Sequence, residues 1–150
     1  MLSEVRKALA DTIRVGAGQA RVLEYPPYTL DMPTVGVHIY VQPDESYVQP
    51  YMTFSASARA QIDYQVVVHV PADNPARAAD AADDLIDPMS TATNVFRAIT
   101  DNPTLGITTF DVAATPLLGA VQAPEPVLEA DGNVRFYRLL LPVQVIVQRS

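Results

Sequence analysis

The groups with the greatest capacity for chemistry in this chain are two histidines and seventeen carboxylates. His38 and His69 both occupy positions that alternate with apolar residues, so both are predicted to lie on the polar face of a sheet. With Asp63, which shares that face, they form a candidate set of ligands for a metal ion. A solvent-facing or interface role explains the same pattern without a metal and is the interpretation that we favour.

Four of the carboxylates have the spacing of one helix face: Asp80, Asp83, Asp84 and Asp87. Several oxygens at this spacing suit a divalent cation, but the segment lacks the glycine turn and the fixed ligand order of a calcium loop. A solvated helix face is therefore the favoured interpretation. The glycines at 16 and 18 precede a strand instead of following one, so they indicate the end of a helix and not a phosphate-binding loop.

None of these groups forms a recognisable catalytic motif, and the absence of cysteine excludes disulfides, thiolate metal sites and cysteine nucleophiles. We therefore expect a protein that is not an enzyme and that needs no metal or cofactor. The net charge of -7 opposes specific binding to nucleic acid phosphates. Because no run approaches the roughly 18 apolar residues of a membrane span, we expect a soluble protein without a membrane partner.

The periodicity of apolar residues predicts one α+β domain over residues 1–150. The predicted elements are a helix from Leu2 to Ile13, strands at 20–25, 35–42 and 60–70, helices at 74–87 and from Ser90 or Thr91 to Asn102, and strands at 107–113 and 137–147. This order, α-β-β-β-α-α-β-β, predicts a mostly antiparallel sheet with helices packed on one face.

The last predicted strand offers one surface for assembly. Pro142 cannot donate a hydrogen bond to a neighbouring strand, so this strand is expected to be an edge or to carry a bulge there. An edge strand is a place where another subunit can add. The candidate contact residues on it are Pro142, Gln144, Ile146 and Gln148.

A second candidate surface is the segment 43–57, which is too long for a tight hairpin turn and is predicted to form a projecting loop or arm. It carries the apolar side chains Tyr47, Tyr51, Met52 and Phe54. Loop aromatics have no core to fill unless the loop folds back, so these residues either contact a partner or pack locally. The arm and the edge strand together favour assembly over catalysis.

The segment from Leu85 to Gly106 resembles the tail-terminator and related neck proteins of siphophages that infect actinobacteria. Those proteins show a helix that ends in Leu-x-Asp-Pro, a second helix with a serine near its start, and a closing aspartate and Leu-Gly pair before a strand. Asp87-Pro88, Ser90 and the stretch Asp101–Gly106 match that pattern. The resemblance extends over most of the chain in the order of elements.

The resemblance implies a structural virion protein with no catalytic residues to carry over. Such a subunit forms a ring, typically a hexamer, on the head-proximal end of the tail tube, where it stops polymerisation and provides a docking surface for the head connector. The implied partners are further copies of the chain, the tail-tube protein and a head–tail connector or head-completion protein. The protein would be assembled in the host cytoplasm and reside in the neck of the tail, and DNA would only pass through an acidic lumen.

Two other interpretations stay open. Another neck subunit, such as a head-completion or connector protein, shares this size and architecture. A small-molecule-binding or enzymatic α+β domain belongs to a different class and would show an apolar pocket with convergent polar groups.

Overall fold

The computed structural model describes residues 1–26, 36–50, 58–71 and 75–149. The elements, in chain order, are α1 (Leu2–Gly16), β1 (Arg21–Leu23), β2 (His38–Pro50), β3 (Ala58–Pro71), α2 (Pro75–Ile86), α3 (Val95–Asp101), β4 (Asp111–Pro116), a short 3-10 turn (Leu118–Ala120), β5 (Glu125–Leu128) and β6 (Val134–Arg149). The predicted α+β class and element order are confirmed, and β5 is an additional strand that the periodicity did not indicate.

A six-stranded sheet in the order β1-β2-β3-β6-β4 forms one layer, and β5 pairs with β6 beside β4. Only the β1–β2 pair is parallel among the described strands, so the predicted mostly antiparallel sheet is confirmed. The centre of the sheet is the pairing of β3 with β6, which continues without a register shift from Ala58↔Arg149 to Pro71↔Phe136. These two long strands position every other strand.

β6 is a central strand, and the prediction that it is an edge or bulges at Pro142 is therefore wrong. On the side away from β3, β6 pairs with β4 over residues 143–148 and with β5 over residues 134–138. The Pro142 carbonyl accepts a hydrogen bond from the Leu117 N–H at 2.8 Å on that side. The nitrogen and the carbonyl of a strand residue face the same neighbouring strand. The Pro142 nitrogen, which has no hydrogen to donate, therefore faces the gap between β4 and β5. A central strand tolerates proline there because no ladder bond is lost.

The helices pack on one face of the sheet, as predicted. Alternate strand residues and the helical stripes meet in one core, which includes the buried side chains Val5, Leu9, Ile13, Ile39, Val41, Ile62, Tyr64, Val66, Val68, Ile99, Leu139, Leu141, Val143 and Val145. Each fully buried aliphatic side chain contributes about 1.5–3 kcal/mol to folding. No described helix combines the length and the hydrophobicity that crossing a bilayer requires.

The first part of the predicted arm at 43–57 is strand. Residues 43–50 belong to β2; Pro43 and residues 48–50 pair with β3, and the register shifts between Pro43 and Val48. The bulge adds residues to β2 that have no counterpart on β3, which breaks the two-residue period and imitates a loop in the sequence. Residues 51–57 of the predicted arm lie outside the described residues.

The short helix α3 begins at an unpredicted cap. Asn94 is its N-cap, and the Asn94 Oδ1 accepts a hydrogen bond from the Arg97 N–H at 2.9 Å. The prediction that Ser90 or Thr91 caps this helix is wrong. The Ser90 Oγ instead accepts from the Ala92 N–H within the turn that follows α2.

Gly16, the last residue of α1, lies against the backbone of this cap. A Cβ atom at Gly16 would be 2.2 Å from the Asn94 carbonyl oxygen and 2.9 Å from the Ala98 Cβ. Real Cβ atoms do not approach backbone this closely, so α1 and α3 make their contact only because residue 16 has no side chain.

We predict that Gly16→Ala forces α1 and α3 apart and lowers the free energy of unfolding by about 1–3 kcal/mol, the usual cost of overpacking. The measurement is urea unfolding followed by circular dichroism. Gly119→Ala is the matched control, because a Cβ at Gly119 meets nothing within 4 Å. Equal stability of the two variants would contradict the close helix contact.

Candidate assembly surface

The sheet face opposite the helices, named the outer face from here on, has no described α-helix packed on it. Because side chains alternate along a strand, cross-strand pairing arranges its residues in rows. From one end to the other the rows are His38 with His69 and Arg138; Tyr40 with Val67 and Leu140; Gln42 with Gln65 and Pro142; Asp63 with Gln144 and Thr115; Gln61 with Ile146 and Ala113; and Arg59 with Gln148 and Asp111.

The four contact candidates on the last strand all lie on this outer face. Pro142, Gln144, Ile146 and Gln148 follow one another along β6, and each is half-buried. Leu140, beside them, keeps 39% of its surface exposed. The residues predicted from the sequence therefore share one surface, although that surface is a face of the sheet and not its edge.

Beyond the short terminal strand β1, β2 forms the sheet edge and lacks one hydrogen-bond donor. The Arg21 N–H donates to the Val37 carbonyl at 2.9 Å, so odd-numbered residues from Val37 to the bulge direct their backbone groups away from β3. Pro43 is one of these residues and presents no donor at the edge. Prolines and bulges on edge strands discourage the addition of a further strand.

The opposite edge, at β4, is also protected. The Ala114 N–H donates to the Pro103 carbonyl at 2.8 Å on the side away from β6. Pro116 comes two residues later, faces the same side and has no N–H. The described edges are therefore poorly suited to the addition of a further strand.

Tyr47 packs locally. Its ring centroid lies 5.5 Å from that of Tyr64 in a T-shaped arrangement, and the two hydroxyl oxygens are 3.4 Å apart. Burial, with the Tyr47 hydrogen bond as a second cause, raises the pKa of Tyr64. The aromatic residues were expected either to contact a partner or to pack locally, and Tyr47 packs locally. Tyr51, Met52 and Phe54 lie outside the described residues, and their interface role stays a prediction.

The two histidines are direct cross-strand neighbours on the outer face, as the alternation predicted. Asp63 is six residues from His69 along β3, which corresponds to about 20 Å, so the candidate metal ligands do not converge. Among the described residues no group of three or more histidines and carboxylates is placed to hold a metal ion.

His69 is not solvent-facing, because only 2% of its surface is exposed. Its ring packs against the edge of Tyr40 at 5.2 Å and against Phe136 at 4.5 Å, measured between centroids. Its Nε2 has no hydrogen-bond partner in the described part of the chain. Burial first, then the charge of Arg138 and the neighbouring His38, lower the pKa of His69 to about 4. The imidazole is therefore neutral at pH 7.

The acidic helix face is solvated, as predicted. Asp80, Asp83 and Asp84 are exposed on α2. Asp87, just beyond the helix, accepts a hydrogen bond from the Met89 N–H at 2.9 Å and so shapes the following turn. The carboxylates act as helix surface and turn, which agrees with the interpretation favoured from their spacing.

A cavity of about 830 Å³ lies between the end of α1, α2 and the turn before α3. Its size is within the range of small-molecule sites. Small residues such as Gly16, Ala17 and Ala81 dominate the lining, and among the described lining residues Asp84 alone is ionisable. The other polar lining residues are Gln19, Ser90, Thr93 and Asn94, and the Asn94 side chain is already hydrogen-bonded to the end of α2 and the start of α3.

No protein-family model matches the chain, and no curated protein is significantly similar to it. Its function is inferred from its residues and their geometry, in which the most extensive unexplained feature is the outer face.

We predict that burial of His69 makes stability depend on pH. The unfolded chain binds a proton at this residue below its ordinary pKa of 6.5, whereas the folded chain does so only near 4. The free energy of unfolding therefore falls as the pH is lowered through this window, by on the order of 3 kcal/mol from this residue.

His69→Phe, which keeps an aromatic ring between Tyr40 and Phe136, should lose less stability than the unmodified protein between pH 7 and pH 4.5. Urea unfolding at both pH values measures the difference. His38→Phe is the matched control and should keep most of the loss, since His38 is only half-buried and is the last of the three causes that lower the pKa of His69. Parallel loss of stability in the unmodified protein and in His69→Phe would refute the assignment.

Proposed function

We propose that this chain is a structural virion protein, the ring-forming tail terminator that caps the head-proximal end of a siphophage tail tube. In this role it stops tube polymerisation and provides the docking surface for the head connector. It is assembled in the host cytoplasm and resides in the neck region of the tail. The observation that carries the proposal is the outer face, a largely uncharged sheet surface beside which the described residues form no evident catalytic site.

A ring subunit needs a surface that binds neighbours without binding indiscriminately. The outer face exposes the apolar Leu140 beside the half-buried amides Gln65 and Gln144, the mixture that specific interfaces use. The prolines near both sheet edges oppose open-ended strand addition, which would give fibres instead of a closed ring. The geometry thus supports closed assembly.

The charge of the chain also supports this role. A net charge of -7 and the exposed carboxylates of α2 disfavour adhesion to DNA phosphates. A ring of acidic subunits lets DNA pass through its lumen without holding it. The resemblance of the segment Leu85–Gly106 to neck proteins implies that the partner is the tail tube.

We predict that the purified protein shortens and caps tubes when it is mixed with the tail-tube protein of the same phage. Negative-stain images would show rings at one end of tubes of limited length. Ile146→Lys places a charge in the outer face and should reduce capping at least about tenfold, because a buried unpaired charge is costly. Val15→Lys is the matched control, since Val15 is 71% exposed on α1.

Two outcomes would change the assignment. A protein that binds the head connector but leaves tube length unchanged would be another neck subunit. A stable monomer that neither forms rings nor caps tubes would refute the tail-terminator proposal.

A further inference from the structure

The cavity between the end of α1, α2 and the turn before α3 is rich in hydrogen-bond acceptors. α1 ends at Gly16 and α2 at Ile86, and residues from both last turns line the cavity. The last carbonyls of a helix have no partner within the helix and carry a partial negative charge. Asp84, exposed on α2, adds a full negative charge to the same lining. The cavity therefore favours a positively charged group that donates hydrogen bonds.

The position of Asp84 is unfavourable for α2 itself. The last turn of this helix contains no basic residue and carries Asp83 and Asp84, although the C-terminal end of a helix dipole is negative. None of the ion pairs between described residues includes Asp84. A cation bound beside this carboxylate would remove the unfavourable interaction with the helix end.

The chain does not supply that cation itself. All ten of its lysine and arginine residues lie in the described part of the chain, and none of them lines the cavity. Arg14, in the last turn of α1, donates to the Val22 carbonyl at 3.1 Å. Arg97, on α3, donates to the Ser90 carbonyl at 3.1 Å and pairs with Asp101. The cation that the cavity favours therefore comes from another molecule.

An arginine side chain of a partner protein fits this lining. Its guanidinium has only donors and matches a carboxylate through two parallel hydrogen bonds. Its apolar stem can lie along the apolar part of the lining, which includes Ala17, Val37 and Leu85. The volume of about 830 Å³ holds more than one side chain, so the arginine enters with neighbouring residues of its own chain.

A metal ion fits the same lining less well. Calcium takes six to eight oxygen ligands, several of them from carboxylates, and magnesium is bound through one or two carboxylates with most of its waters retained. Asp84 is the one ionisable group in the described lining. The apolar part of the cavity would also have no function in holding a small hydrated ion.

We propose that the cavity is the docking site for an arginine-bearing segment of a partner protein, with Asp84 as the carboxylate that binds the guanidinium. This inference does not depend on the proposed function. If that function holds, the cavity and the outer face are two separate contacts of one subunit, because they lie on opposite sides of the sheet.

The probe for the test is N-acetyl-arginine amide, added to the isotope-labelled full chain and followed through the backbone amide signals in NMR spectra. We expect saturable shifts at Gly18 and Thr93, which line the cavity, with a Kd on the order of 1 mM for a ligand of this size. N-acetyl-citrulline amide has the same shape without the charge. It should bind at least about tenfold more weakly, because hydrogen bonds to charged groups are the stronger ones.

Asp84→Asn should weaken the binding of the arginine probe at least about tenfold. Asp83→Asn is the matched control, because Asp83 is exposed on the same turn and does not line the cavity. Both substitutions remove an unfavourable charge from the end of α2, so neither should lower the unfolding temperature. Weaker binding by Asp84→Asn alone is then not an effect of unfolding.

Three results would overturn the proposal: no saturable shift at the cavity, equal binding of the citrulline probe, or equal loss of binding in the two aspartate variants. Tube capping is scored separately. A chain that binds the arginine probe as expected but does not cap tubes would refute the proposed function and leave the docking site standing.

Discussion

The helical layer depends on one buried amide. Asn94 is 4% exposed, and its Nδ2 donates to the carbonyls of Asp84 and Asp87 at 3.0 and 2.7 Å, where α2 ends. Its Oδ1 caps α3 through the Arg97 N–H, and its own carbonyl lies against Gly16 at the end of α1. Helix ends leave carbonyl and N–H groups without partners, and burying them unpaired is costly. The Asn94 side chain therefore provides hydrogen-bond partners for backbone groups of α2 and α3, and the Asn94 backbone determines how closely α1 approaches.

All three helices gather around this residue on one side of the sheet. No described α-helix packs on the other side, where residues 120–123 lie beside Gln65, Leu140 and Pro142. The rows from His69 to Gln148 then follow from the unbroken pairing of β3 with β6. Sheets with one helical layer normally expose a polar face, but here Leu140 is exposed among amides, beside the buried Val67 and His69. A face of this composition suits the proposed contact surface, and the prolines near both sheet edges disfavour strand addition.

The segment Leu85–Gly106, which carries the resemblance to neck proteins, is structural. Asp87 shapes the turn after α2, and the chain leaves α3 through Leu105 and Gly106, whose φ angles are 54° and 73°. A left-handed residue followed by glycine turns the chain toward β4. The resemblance of this segment therefore lies in the way that two helices are joined, whereas the proposed assembly contacts involve β3, β4 and β6. Resemblance and assembly surface are separate arguments for the same role.

Local periodicity was sufficient for much of this fold. The alternation in β3 and β6 and the apolar stripe of α1 determined those elements and the α+β class, because side-chain direction repeats every 2 or 3.6 residues whatever the partner. The place of β6 at the sheet centre, the packing of Tyr47 on Tyr64, the burial of His69 and the Asn94 cap were decided only by the tertiary structure. Each depends on a residue distant in sequence, and no local pattern records which strand will pair with which. The candidate contact residues on β6 share one face of the sheet, as their alternation predicted, but the place of that strand inside the sheet followed from strand order alone, and their contact role stays a prediction.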